Sequence, residues 1–200
     1  MTATTHHPRV PCITAWSAEQ SETGPLVQCP GGGIAYADET TGDRDDRGVL
    51  WQRAPSAPGQ GAPQFAAVHS ARQRQVMGEL LCQVCAGPAD QNDDDGTLWL
   101  LQDRRTDWPG WPQGMDVTEP PICVHCLPIA IRACPALRES HAAIRAFTAP
   151  IVGIRGTLYT PSPTGPVAAG VSVVDFDNPD IRWVLAHQLI RTLHQAVVLN

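Results

Sequence analysis

Two Cys-x-x-Cys pairs, Cys82-Gln83-Val84-Cys85 and Cys123-Val124-His125-Cys126, are the residues whose types and spacing best fit a defined chemistry. Each pair folds as a knuckle that aims two thiolates at one point. Two knuckles together supply four soft sulfur donors, the donor set of a tetrahedral zinc site. The expected metal ligands are therefore Cys82, Cys85, Cys123 and Cys126, holding Zn2+. Four sulfurs close the coordination sphere, whereas catalytic zinc keeps a position for water. The spacing thus implies a structural staple. Two readings compete with it: cysteines that are buried or redox-active without metal, and a set in which His125 replaces a neighbouring cysteine.

The chain has seven cysteines, so three stand outside the pairs. Cys134 lies eight residues after Cys126. It reads as a packed apolar thiol, with a further ligand or a nucleophile as alternatives. Cys12 and Cys29 fall in neighbouring strand segments, but a reducing compartment argues against a disulfide between them. His6 and His7 read as part of a solvated start. His187 and His194 are two turns apart on an expected helix and read as its polar face, with a shared site as the alternative. Asp103, Asp107, His125, Glu139 and His141 are the candidate acids and bases if the chain is an enzyme. Their spacing does not select them over a solvated surface.

Other chemistries lack their residues. HNH nucleases are often stapled by two such pairs, but no histidine lies between Cys85 and Cys123 to act as the base. Zinc deaminases carry H-x-E and P-C-x-x-C. Here Pro121 is one position early, and His69-Ser70-Ala71 lacks the glutamate. No HExxH, G-x-S-x-G or Walker A motif occurs. Two Cys-x-x-Cys pairs without a βαβ pattern favour metal over thioredoxin-like redox work.

The elements that must position the thiols divide into three stretches. Residues 1–63 read as a β-rich segment and linker, with a loose start over Met1–Pro11. Short strands are expected at Cys12–Trp16, Leu26–Cys29 and Gly33–Ala37, and Val49–Gln52 is expected to return as a hairpin partner. Pro30–Gly33 is a turn, since no GK[ST] follows it. Ala54–Pro63 is a Pro/Gly/Ala loop and the best internal boundary.

Residues 64–147 form the zinc-binding module. A helix is expected over Ala66–Leu81, feeding into Cys82. A strand over Thr97–Leu101 and the loop Trp108-Pro109-Gly110-Trp111-Pro112 follow. A helical pattern runs over Leu127–Phe147, which Pro135 should kink or split. Residues 148–200 read β-β-α and pack with the N-terminal part. Strands are expected at Ile151–Tyr159 and within Val167–Phe176. A C-terminal helix then starts at Asp177-Asn178-Pro179, with Ile181, Val184, Leu185, Leu189, Leu193 and Val197 on one face.

The order knuckle, hairpin, second pair at a helix start resembles the treble-clef class of zinc fingers over about Leu81–Phe147. The chain also resembles uncharacterised zinc-knuckle proteins of actinobacteria and their phages. These resemblances imply a structural metal and no particular activity. The expected fold class is α+β: small mixed sheets, a four-cysteine treble-clef-like zinc module and a C-terminal helix.

Composition narrows function further. The 200 residues are 42% hydrophobic and 17% charged, with a net charge of −6. A broad phosphate-binding face is therefore disfavoured. All 14 basic residues are arginine. Without lysine there is no Schiff-base or P-loop lysine, and the bias reads as a high-GC, actinobacterial genome. No apolar run of about 18 residues offers a membrane span, and Met1–Arg9 lacks a signal-peptide pattern, so a cytoplasmic protein is expected.

The leading expectation is a binding or adaptor protein with a protein partner, anchored by the Trp108–Pro112 loop. The alternative for that loop is that its tryptophans close the core. A nucleic-acid binder using Arg72, Arg74, Arg104, Arg105, Arg132, Arg138 and Arg145 is the second expectation, and an enzyme with a pocket away from the zinc is the third.

Overall fold

A computed structural model describes residues 10–20 and 24–199. The expectations for His6-His7 and for most of Met1–Pro11 lie outside the described residues. The elements are β1 (Thr14–Trp16), β2 (Leu26–Gln28), β3 (Ile34–Tyr36), β4 (Leu50–Trp51), β5 (Pro63–Val68), α1 (Ser70–Gly78), β6 (Gln91–Asn92), β7 (Gly96–Leu101), β8 (Met115–Val117), α2 (Leu127–Ala133), α3 (Pro135–Glu139), β9 (Ala142–Thr148), β10 (Ile151–Thr160), β11 (Val167–Asp175) and β12 (Val184–Val198). Short 3₁₀ turns at Val124–Cys126 and Pro179–Trp183 complete the set. The result is a mixed α/β molecule, mostly strands, built on one curled sheet.

The expected C-terminal helix is corrected: that segment is β12, a strand of 15 residues. Only the helix start survives, as a five-residue 3₁₀ turn that Asn178 caps by accepting from the Asp180 amide. The apolar residues spaced as a helix face fit a strand here because β12 is buried on both faces through most of its length. In such a strand period 2 leaves no mark.

β12 is the axis of the sheet. β9 and β10 run antiparallel along one side of it, from Ile144 opposite Val198 to Leu158 opposite Val184. They are interrupted at Ala149-Pro150, where the proline lacks a ladder donor. On its other side β12 takes β4 in parallel at Leu185–Ala186 and β8 antiparallel at Arg191–Leu193. β11 lies outside β10, and β7 then β6 lie outside β9. Two short ladders, β1–β5 and β2–β3, stand apart.

Three further expectations are corrected. The helix expected over Leu127–Phe147 splits at Pro135 into α2 and α3, as the proline implies, but it ends at Glu139, and from Ala142 onward the chain is β9. The helix expected over Ala66–Leu81 spans Ser70–Gly78, after β5. β4 does not return on β3; β3 pairs with β2, and β4 joins β12. The strand and hairpin expectations for β7, β10 and β11 hold.

The main core joins Trp51, Met77, Trp99, Trp111, Ile144, Ile154, Val184 and Leu193. Arg191 docks α1 against β12 from inside this core. Its guanidinium donates to the Met77 and Gly78 carbonyls at the end of α1 and to the Ala149 carbonyl. A cation satisfying helix-end carbonyls suits the negative end of the helix dipole. Burial lowers its pKa to about 10.

Candidate metal centre

β7 is the wall between the main core and the cysteines. All six of its residues are buried, and alternate side chains of a strand point to opposite faces. Trp99 and Leu101 enter the main core. Leu98 and Leu100 face the other way and pack with Cys82, Val84, Ile122, Cys126 and Ala130. The strand begins at Gly96, with φ of +74°. A side chain there would run into the Ala146 carbonyl, so β7 and β9 approach closely at this end.

Backbone bonds tie both cysteine pairs to this wall. The Ile122 amide donates to Leu98 O (2.9 Å), and the Leu98 amide donates to Asp90 O (2.9 Å). The Gln83 amide donates to Pro121 O (3.0 Å), which joins one pair to the other. The first knuckle closes through the Cys82 amide to Gly87 O (2.7 Å) and the Ala86 amide to Cys82 O (2.9 Å). Ala86 takes the left-handed backbone, with φ of +58°. The second pair opens a helix: Cys123 precedes the 3₁₀ turn, Cys126 ends it, and α2 follows with Pro128 in its first turn, where no helical bond is lost.

The sulfurs of Cys82, Cys85, Cys123 and Cys126 all lie within 4.8 Å of one another. Those of Cys85 and Cys123 are 3.9 Å apart. A tetrahedron with metal–sulfur bonds of about 2.3 Å has sulfur–sulfur edges of about 3.8 Å, so the cluster is the size of a closed four-sulfur site. Among the described residues it is the one group of His, Cys, Asp or Glu side chains with metal-ligating geometry. Cys82 and Cys126 are fully buried, Cys123 is half-buried and Cys85 is exposed. Burial and then the neighbouring thiols, Cys123 foremost, push the Cys126 thiol up. A thiol so placed ionises when a cation takes its proton's place, which is the chemistry of metal binding by deprotonated sulfur.

The structure adds one residue that the sequence reading did not place here. Cys12 lies against the first knuckle: its amide donates to Val84 O (3.1 Å), and its Sγ approaches Cys82 O at 3.9 Å. Burial, then the charge of Cys82, raises its pKa to about 11. It is a protonated neighbour of the cluster. The spacing of Cys12, 70 residues from Cys82, carries no local signal of this contact. Cys29 sits at the β2–β3 turn and Cys134 between α2 and α3, both half-buried free thiols.

The other candidate residues do not converge on the cluster. His125 is exposed on the 3₁₀ turn. His141 hydrogen-bonds with its Nδ1 to Leu137 O (2.8 Å) just beyond α3. Asp103 pairs with Arg105, whose hydrogen bonds hold its carboxyl below the usual range. Asp107 faces Arg104 at 3.9 Å, and Glu139 ends α3.

His187 and His194 lie on β12, where seven residues span about 23 Å and not two helical turns. His187 meets Thr157 at 3.3 Å, and burial lowers its pKa.

The arginines near the cysteines in sequence are largely engaged. Arg72 pairs with Glu19, Arg145 with Asp90, and Arg74 lies over the Trp51 ring. Arg132 and Arg138 lie on α2 and α3. In the Trp108–Pro112 loop the two tryptophans part company. Trp111 is 7% exposed within the main core, whereas Trp108 is 39% exposed.

No family model matches the chain, and neither curated proteins nor solved structures contain a match to it.

Proposed function

We propose that this chain is a zinc-stapled binding protein in which Cys82, Cys85, Cys123 and Cys126 hold a structural Zn2+ in a treble-clef-like module. The observation that carries the reading is the closed set of four sulfurs, two of them fully buried, held by loops bonded to each other and to β7. Four-sulfur tetrahedral sites take zinc or iron. Zinc suits a purely structural role because it has no redox chemistry. The β6–β7 hairpin between the pairs and the helix after the second pair support the treble-clef plan. A binding role is supported by the exposed Trp108, since a closed four-sulfur staple leaves no open metal position for chemistry.

Elemental analysis of the purified protein tests the metal. The expected result is one zinc per chain, absent from a Cys82→Ser/Cys126→Ser variant. A wild-type protein that is verified metal-free and whose cysteine loops, residues 82–90 and 121–134, keep their native order would overturn the proposal.

A further inference from the structure

The Trp108 loop does more than present an aromatic ring. It borders a cavity of about 430 Å³ on the far side of β7 from the cysteines, within the size range of small-molecule sites. Leu101, Val117 and Ile190 give it an apolar floor, and Trp108 gives it an aromatic wall. Asp116 and Glu119 supply its carboxylates. Both are exposed, and neither forms an ion pair among the described residues. Asp116 is held from the neighbouring strand, where its Oδ1 accepts from Thr192 Oγ1, its cross-strand partner on β12, at 2.6 Å. Glu119 Oε2 accepts from the Thr118 amide at 3.2 Å. The one cation of the lining, Arg104, turns to groups of its own loop, Asp107 (3.9 Å) and Gln102 (3.5 Å).

We propose that this cavity binds an organic cation with a flat apolar body, of the arylalkylamine class. The apolar part would lie on the floor against the Trp108 ring, and the ammonium would face Asp116 and Glu119. An indole face attracts cations as the carboxylates do, so wall and rim select the same charge. An anion of the same shape meets two carboxylates and a ring face that repel it. The inference rests on the binding reading above and is independent of the metal.

The test uses the full-length, zinc-replete protein with its tryptophan indole nitrogens labelled for NMR, Trp108 being assigned by Trp108→Phe. The probes are tryptamine, its neutral analogue tryptophol and the anion indole-3-propionate. Tryptamine is expected to shift the Trp108 signal saturably, and more tightly than tryptophol. Asp116→Asn and Glu119→Gln are expected to weaken it by about fivefold each, the scale of one exposed charge pair.

No saturable shift by about 10 mM, or equal affinity for the anion, overturns the site. Unchanged tryptamine affinity in the double variant does so too. The comparison of the three probes on the wild-type chain decides the matter even where a variant fails to fold. A negative result with zinc content intact removes this cavity as a ligand site and leaves the metal staple standing.

Discussion

The side-chain amide of Gln73 serves as a missing strand for Leu189. Its Oε1 accepts from the Leu189 amide at 2.9 Å, and its Nε2 donates to the Leu189 carbonyl at 3.0 Å. The same Nε2 donates to Thr118 O at 2.8 Å. On this side of β12, β4 pairs at Leu185 and Ala186 and β8 only from Arg191. The backbone between them faces the core without a neighbour. A buried peptide group without a partner costs about 1–3 kcal/mol, and Gln73, fully buried on α1, fills the gap.

Replacing Gln73 by Met keeps the volume and removes every one of these bonds. The expected loss is about 2–4 kcal/mol in denaturant unfolding, since one buried donor and two carbonyls lose their partner. Gln73→Glu should cost as much or more, because a carboxylate cannot donate to the carbonyls. A loss under about 0.5 kcal/mol in both variants, the level of an ordinary surface change, would show that water replaces the side chain.

The four thiols differ in what surrounds them, so their loss should be local and graded. Cys82 and Cys126 share a small core with Leu98, Leu100 and Ile122, while Cys85 is exposed. Structural zinc contributes on the order of 10 kcal/mol to folding. Removing metal should therefore release residues 82–90 and 121–134. The β10–β12 ladder draws instead on the main core. Hydrogen exchange after chelation reads this directly: loss of protection is expected in the cysteine loops and not in β10–β12. Cys82→Ala should reproduce it more fully than Cys85→Ala. Unchanged protection in the loops once metal is verified absent would defeat the prediction.

Legibility in the sequence followed the range of the interaction. Cys-x-x-Cys is a four-residue signal, and the two pairs meet as their spacing implies. The hairpin of β10 and β11 and the strand β7 were also legible, because turn residues bound short runs rich in β-branched and apolar residues. β12 was not. Its helix-like spacing from Ile181 to Val197 arises in a strand covered on both faces, and only its partners β9, β10, β4 and β8, all distant in sequence, decide the matter. β9 did carry a local signal: Ala142, Ile144 and Ala146 are buried alternately, which is period 2. A helical reading run through Pro135 obscured it. Cys12 and Gln73 act on residues 70 and 116 positions away. No motif marks such contacts.

Glu19 and Arg72 set the acid limit of the N-terminal ladder. The Glu19 carboxylate is buried and accepts from Arg72 at 2.6 and 2.7 Å and from the Trp16 and Ala57 amides. Arg72 also donates to Cys12 O and Thr14 O, which fastens β1 to α1. The Arg72 hydrogen bonds, against the opposing effect of burial, hold the Glu19 pKa at about 2, below its usual 4.5. A carboxyl depressed on folding contributes stability above its unfolded pKa and loses it as pH falls through the folded value. Stability should thus decline from about pH 5 toward pH 2, by an amount on the order of 3 kcal/mol from this group alone. Glu19→Gln should flatten that part of the pH–stability curve. It should also lower stability at pH 7, because Arg72 is left beside a neutral amide. Breaking one partner of a buried pair costs about 3–5 kcal/mol. An acid profile identical in Glu19→Gln and wild type would assign the loss to other carboxylates, with Asp43, held low by Arg53, the first to test.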